Sequence, residues 1–412
     1  MLSRREMLKA AVRWVPCLGG CAVASRLPFG ALSLNEDSSS LFALDKTSDL
    51  LKNAPEARYW ISAGKVAADC LSCHTPKDNI QRTPRVDHLN NVKCLLCAQG
   101  CLLRPGERGK CRARLNVNGS LRSLVYGHPV TIHIDPIEKK PFYHFLPGSA
   151  AYSLATAGCP LRCRFCQNWE ISQARPEDYA GAFVPPSEIV QSASSKSAPV
   201  VAFTYNEPTV FTEYLTDIAR IARKQKLRCA LISCGFMTEA PLTEICGTLD
   251  AIKIDLKGFD EGFYRNVSGA ELKPVLRSIK QVAKSGVHLE IVNLVVPSLN
   301  DSEKMLQNLA DWVMGELGPD VPIHFTRFHP DYQLLNLPPT PIAVLERARA
   351  IAMDKGIHFP FVGNVPNHPG NHTYCPKCGK VVVKRSGFFI EELNLKNGTC
   401  RFCGTRIAGV WA

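Results

Sequence analysis

Tyr152-Ser153-Leu154-Ala155-Thr156-Ala157-Gly158-Cys159-Pro160-Leu161-Arg162-Cys163-Arg164-Phe165-Cys166 reads as a short β-prone run followed at once by three cysteines at C-x3-C-x2-C. An aromatic, Phe165, stands just before the last cysteine. Three thiolates at this spacing can wrap three irons of a [4Fe–4S] cube and leave the fourth iron without a protein ligand. A cluster built only to carry electrons normally has four protein ligands, so an open iron implies a ligand that comes and goes. Zinc sites more often show two C-x2-C pairs than a single triplet. Cys159, Cys163 and Cys166 are therefore the candidate metal ligands.

Beyond this stretch, β-rich runs alternate with helical patterns. Strands are expected at 152–156, 200–205, 228–233, 251–256, 287–296 and 323–328. Between them Val210, Phe211, Tyr214, Leu215, Ile218 and Ile221 recur at helical spacing. Val275, Leu276, Ile279, Val282 and Ala283 do the same and stop at Gly286, while Met305, Leu306, Leu309, Trp312 and Val313 follow the plausible cap Ser302. Val344, Leu345, Ala348, Ile351 and Ala352 make a further apolar face. The expected fold is α/β: a partial (β/α)6 TIM-like barrel with small cysteine-rich metal-binding modules at both ends. Sites on such sheets form at the C-terminal ends of strands, where the triplet already stands. Asn206 and Glu207 close the second strand, Asp255 and Lys257 the fourth, and Arg327 and His329 the sixth. A carboxylate there can accept from ribose hydroxyls and a lysine can meet a carboxylate; a surface ion pair is the other reading of Asp255 and Lys257. Arg327 and His329 are candidates to face a substrate.

On this kind of chain the triplet resembles that of the radical S-adenosylmethionine (SAM) enzymes. Longer motifs narrow the resemblance: Gln167-Asn168-Trp169-Glu170-Ile171-Ser172-Gln173, Asp135-Pro136-Ile137-Glu138-Lys139-Lys140-Pro141, His144-Phe145-Leu146-Pro147-Gly148, Gly363-Asn364-Val365-Pro366 and His368 through Cys378. Together, over about 93–379, they resemble the AmmeMemoRadiSam-system radical SAM protein, a relative of pyruvate formate-lyase activating enzymes. Asn367 stands where that resemblance leads one to expect glycine. The resemblance implies a radical-SAM-type barrel and two cofactors, a [4Fe–4S] cluster and SAM. In this family SAM chelates the open iron, and its cleavage yields a 5′-deoxyadenosyl radical that abstracts hydrogen. Asn206 and Glu207 fall where such enzymes hold the SAM amino group. Implied partners are a low-potential electron donor, a substrate protein of the glycyl-radical type or a small molecule, and Memo-like and AMMECR-like proteins. A non-catalytic iron–sulfur electron carrier, with or without haem, is the alternative from another class.

Eighteen cysteines among 412 residues is the compositional anomaly, and five C-x2-C pairs favour metal ligation over disulfides. Cys94, Cys97, Cys101 and Cys111 fit zinc or an auxiliary cluster, and the resembling family carries this module too. Cys375, Cys378, Cys400 and Cys403 form two C-x2-C pairs, each followed by glycine, as in a zinc ribbon, with rubredoxin-like iron next. The residues between them, Val381 to Val383 and Phe388 to Ile390, fit a hairpin. Cys70, Cys73 and His74 make a C-x2-C-H, the attachment pattern for c-type haem, or a metal knuckle, or plain thiols. Cys229, Cys234 and Cys246 lie in or beside apolar stretches and read as small buried hydrophobes.

Ser3-Arg4-Arg5-Glu6-Met7-Leu8-Lys9 resembles a twin-arginine export signal, and the apolar segment after it is too short to span a membrane. Leu18-Gly19-Gly20-Cys21 reads as a lipoprotein box and Ala22-Val23-Ala24 as an ordinary cleavage site. The expected location is thus periplasmic or lipid-anchored, with cytoplasmic as the alternative. Net charge is +12, but no interleaved basic and aromatic stripe argues for nucleic acid. The expected organisation is a signal over 1–31, a linker and insertion over 32–91, a cysteine-rich module over 92–150, the barrel over 151–366 and a ribbon over 367–412.

Overall fold

Runs of valine, isoleucine, alanine and phenylalanine that can be buried on both faces form the parallel strands of this protein. In the computed structural model the described residues are 38–62, 90–179 and 181–412. The leader with Arg4, Arg5 and Cys21, and the motif Cys70, Cys73 and His74, lie outside them. The chain divides into Met1–Phe42 and Ala43–Ala412, and every contact described below lies within the second unit.

The N-terminal strands are β1 (Trp60–Ser62), β2 (Val92–Cys94), β3 (Leu102–Leu103), β4 (Arg114–Val117) and β5 (Ser120–Ser123). Strands β1, β2 and β3 form one small antiparallel sheet, and β4 and β5 a hairpin. The expected linker is therefore partly structured. Residues Ser38–Asn53 form a helix, because Leu50 has a core to join with Ala54, Leu115 and Leu124. The cysteine-rich module likewise starts before residue 92, since β1 is its edge strand.

The main sheet comprises β6 (Thr131–Pro136), β7 (Ala150–Ala155), β8 (Val200–Phe203), β9 (Arg228–Ser233), β10 (Ala251–Asp255), β11 (His288–Val295), β12 (Ile323–Arg327) and β13 (Pro360–Gly363). They lie side by side in chain order. From β7 to β13 each neighbour is parallel, and β6 runs antiparallel on the outer edge. Six of the parallel strands stand where the pattern put them. Two strands go beyond it. β13 is four residues with Pro at one end and Gly at the other, which reads as a turn. β6 carries no crossover helix, so it read as part of the preceding module.

Helices Thr212–Lys224, Leu272–Ser285, Glu303–Leu317 and Ile342–Asp354 take the expected places. Ser302 accepts the amide of Met305 as a true cap, and Gly286 ends its helix at φ 80°. They cover the outer face of the sheet, where Leu154, Phe203, Ile252, Ile254 and Phe325 share one core with them.

The inner face is different. Ala151, Ala202, Ala230 and Ala251 are small and leave room for Phe142 and Phe145, which fill the space. The segment carrying these aromatics is fixed by a buried carboxylate. Glu290 accepts from the amides of Tyr143 at 3.0 Å and His144 at 2.8 Å, and contacts His324 Nε2 at 2.6 Å. The C-terminal module closes over this plug. Its hairpin, β15 (Val381–Ser386) and β16 (Phe389–Leu393), follows the short β14 (Thr373–Tyr374). Arg385, 1% exposed, donates to the carbonyl of Tyr143 at 2.6 Å and stacks over its ring at 4.2 Å. Asn367 adopts φ +59°, so the loop keeps the left-handed turn that a glycine would take. Asparagine tolerates that region better than most residues.

Between β6 and β7, Glu138 is fully buried, accepts from the Gly148 amide at 2.7 Å and leaves Oε2 unpartnered. Burial pushes its carboxyl up from 4.5 to about 7. An acid raised in this way contributes its stability below the unfolded value and loses it as pH climbs to the folded one. Glu138→Gln is therefore expected to raise the melting temperature at pH 8 relative to the unsubstituted protein, and to do so much less at pH 5. Thermal denaturation at both values checks this; an equal effect at both would contradict it.

Candidate functional site

The chain leaves β7 and turns immediately into the cysteine loop. Gly158 takes φ +96°, and a Cβ there would lie 2.3 Å from the carbonyl oxygen of Cys111. Only glycine fits this approach. The loop is then tied down by its backbone. The amide of Gly158 donates to Ile171 at 2.8 Å, and those of Arg162 and Arg164 donate to Ser268 and Val267 at 2.9 Å each. Ser268 and Val267 belong to a π-helical turn, Tyr264–Ser268. The Arg162 guanidinium adds bonds to the carbonyls of Cys159 and Leu161, both 2.8 Å.

Cys159, Cys163 and Cys166 line a cavity of about 400 Å3 at the C-terminal ends of the strands, and Asn206, Glu207, Asp255 and Lys257 line it too. Burial pushes the Cys163 thiol up to about 11, with Lys257 opposing the shift, and drives that of Cys159 well above its ordinary value. Such thiols stay protonated unless a metal replaces the proton.

Asn206 follows β8 in a segment held by Tyr205, which sits at φ +68°. The Tyr205 hydroxyl donates to Asp135 at 2.6 Å and accepts from Lys140 at 3.1 Å. This network locks a left-handed residue beside the cavity, where backbone strain commonly serves a site. Asn206 Nδ2 donates to the Gly158 carbonyl at 2.8 Å, and its buried Oδ1 has no partner. That orphaned acceptor is suited to a ligand ammonium group.

Glu207 behaves differently from its neighbour. Its carboxylate is occupied by Thr209, by Ser233 Oγ at 2.8 Å and by the amide of Cys234 at 2.7 Å. It joins the ends of β8 and β9 and caps the 3-10 turn Pro208–Phe211. It thereby positions the loop, while still lining the cavity. Cys234, read as a small hydrophobe, is indeed buried, but it also lines the cavity.

Asp255 is flanked by two lysines. Lys253 bonds one carboxylate oxygen and Lys257 the other at 3.2 Å. Burial alone would raise the Asp255 carboxyl, yet the two lysines outweigh it and hold the value down. Lys257 is kept charged by Asp255 against burial, and its ammonium lies 5.7 Å from the centre of the Phe165 ring. The pair is therefore part of a triad in the cavity wall, with Lys253 buried and Asp255 and Lys257 half-buried. Lys253 was missed, although its place two residues before Asp255 on one strand puts both on the same face.

Arg327 and His329 do not line the cavity. Arg327 Nε donates to the Thr340 carbonyl at 2.9 Å, and His329 is exposed. The reason is strand parity. On β12, His324 and Thr326 face inward, so Arg327 faces the opposite way. Asn364 and Phe388 line the cavity instead. Phe388 sits at the tip of the C-terminal hairpin, a placement no local signal announces.

Two further cysteine groups stand apart. Cys375, Cys378, Cys400 and Cys403 bring all four sulfurs within 4.8 Å of one another, close enough to share one metal ion. Cys94, Cys97, Cys101 and Cys111 ring a separate small void beside Pro160.

The chain is also similar in sequence to known proteins. The sequence pattern of the Radical SAM superfamily matches residues 153–313. An uncharacterized protein of Methanocaldococcus jannaschii is 42% identical over 320 residues, 77% of this chain and 95% of that one. The pyruvate formate-lyase-activating enzyme of Clostridium pasteurianum is 26% identical over 157 residues, 37% of this chain and 65% of the relative. The benzylsuccinate synthase activating enzyme of Thauera aromatica is 23% identical, with 42% and 71% covered.

Gly158→Ala is expected to destabilise the protein by more than about 1 kcal/mol, since it adds a clash to an unfavourable φ. Chemical denaturation checks this; unchanged stability would show that the loop does not approach Cys111 so closely.

Proposed function

Because this chain belongs to the radical SAM superfamily, we propose that its cavity binds SAM on a [4Fe–4S] cluster held by Cys159, Cys163 and Cys166, for hydrogen abstraction from a glycyl residue of a partner protein. Cys159, Cys163 and Cys166 would hold the cluster, which when bound and reduced would supply the electron for reductive cleavage of SAM to methionine and a hydrogen-abstracting 5′-deoxyadenosyl group. The observation that carries the reading is Asn206 Oδ1, a buried acceptor without a partner in the cavity the triplet lines. An α-ammonium group would satisfy it.

The remaining residues follow from their chemistry. Lys257 offers an ammonium to a carboxylate, and Asp255, held anionic by its lysines, accepts from ribose hydroxyls. Leu161, Phe165, Ile232, Val292 and Leu294 supply apolar wall that keeps water from a reactive centre. Gly158, Glu207 and Tyr205 fix the two loops against each other, because an abstraction needs its donor hydrogen in contact. The activating-enzyme relatives favour a protein target, and Memo-like and AMMECR-like proteins are candidate partners by motif resemblance. A low-potential electron donor completes the system. The four C-terminal cysteines suit a tetrahedral zinc, which needs sulfurs about 3.8 Å apart for Zn–S bonds of about 2.3 Å; two of their pairs stand at 3.5 and 3.9 Å. The twin-arginine-like leader favours export of the folded protein.

Anaerobic protein reconstituted with iron and sulfide, reduced with dithionite and given SAM, is expected to release 5′-deoxyadenosine. Cys163→Ala should form none of it; product from that variant would overturn the assignment. Asn206→Ala should retain the cluster absorbance yet bind SAM roughly ten- to a hundredfold more weakly, the loss of about 1.5–3 kcal/mol for a hydrogen bond to a charged group. Equilibrium binding of SAM under anaerobic conditions measures this, and unchanged affinity would remove Asn206 from the site.

A further inference from the structure

We propose that Cys94, Cys97, Cys101 and Cys111 ligate an iron–sulfur cluster of their own, separate from that of the triplet, with Arg114 Nε donating a hydrogen bond to one of its sulfurs. The protein contains its own standard of comparison. Among the described residues, the four C-terminal sulfurs lie within 4.8 Å of one another, and no three of the N-terminal four meet that spacing. All four N-terminal cysteines instead line, with Arg114 and Pro160, one void wide enough to admit a water-sized sphere. A sphere of about 1.4 Å radius could not stand at the centre of a ZnS4 tetrahedron, whose sulfurs lie only about 2.3 Å away. A cluster core, by contrast, holds its thiolates apart across several irons and sulfides.

The lining points to a ligand independently of the sulfurs. Arg114 is 1% exposed and lines the void. Its terminal nitrogens are engaged, one by the Glu213 carboxylate at 2.7 and 2.8 Å and the other by the Arg58 carbonyl at 3.0 Å. Its Nε has no partner. A donor left in this state is costly unless something accepts from it. The Lys110 amide already points at Cys101 Sγ, 3.5 Å away. Gly109 lines the void too, its Cα side lying next to both Cys111 Sγ and Cys101 Sγ, within ordinary van der Waals reach of a Cβ. The void also adjoins the main site: Pro160 lines it, next in the chain to Cys159, and accepts from Gln99 at 3.0 Å. A cluster there would stand where electrons can pass to the triplet.

The test does not depend on SAM chemistry. Protein with Cys159, Cys163 and Cys166 all replaced by alanine is reconstituted anaerobically with ferrous iron and sulfide. It is expected to keep iron and acid-labile sulfide in equal amounts, roughly two to four of each per chain, with brown absorbance and an EPR signal on reduction. Adding Cys97→Ser and Cys111→Ser should remove that iron and leave the C-terminal metal in place. Zinc in place of iron at this module, or no iron and labile sulfide in the triple variant, overturns the proposal. Should the fivefold variant fail to fold, the unsubstituted protein decides: acid-labile sulfide above about four per chain supports a second cluster, and about four with no more overturns it.

Discussion

A cysteine sulfur buried in an apolar cavity can hold a charge only when a positive charge compensates it, and this constraint organises the site. Left as thiols, Cys159 and Cys163 are pushed far from ionisation by their surroundings. The loop that carries them is accordingly fixed by elements that do not depend on metal: the close approach of Gly158 to Cys111, the amide bonds to the π-helical turn and the Arg162 guanidinium. The protein thus presents three sulfurs in a prepared arrangement, and metal binding returns the cost of their burial.

The sheet supplies the rest through parity. Alternate residues of a strand point to opposite faces, so a single strand end can offer a ligand group inward while its neighbour secures the scaffold. Asn206 turns its free oxygen to the cavity while Glu207 gathers donors from β9. Lys253, Asp255 and Lys257 share the inward face of β10 and its extension. Below them the small alanines of the inner face admit Phe142 and Phe145, and Glu290 holds that plug by two backbone amides. The motif around His144 is in this sense the floor of the site. The C-terminal module caps it, with His144 Nδ1 against the Ala408 carbonyl at 2.7 Å.

Much of this was legible because the signals were local. A β-prone run followed by C-x3-C-x2-C fixed both the first barrel strand and the place of the site, and the caps Ser302 and Gly286 closed their helices as read. What escaped depended on tertiary context. β13 is too short and too rich in turn residues to stand out, yet β12 offers it an edge to pair with. The helix Ser38–Asn53 looked like a polar linker because its partners, Leu115 and Leu124, come from far along the chain. Arg327 was misplaced by one residue of parity, a fault that counting inward from Phe325 would have exposed. Phe388 reaches the cavity only because a separate module folds over it.

The central claim is that the triplet leaves one iron open to SAM, and EPR of the dithionite-reduced, oxygen-free protein before and after addition of SAM tests it most directly. The account predicts that SAM changes the signal of the triplet's cluster and that the change disappears in Cys159→Ala. A reduced tetranuclear signal indifferent to SAM would contradict it.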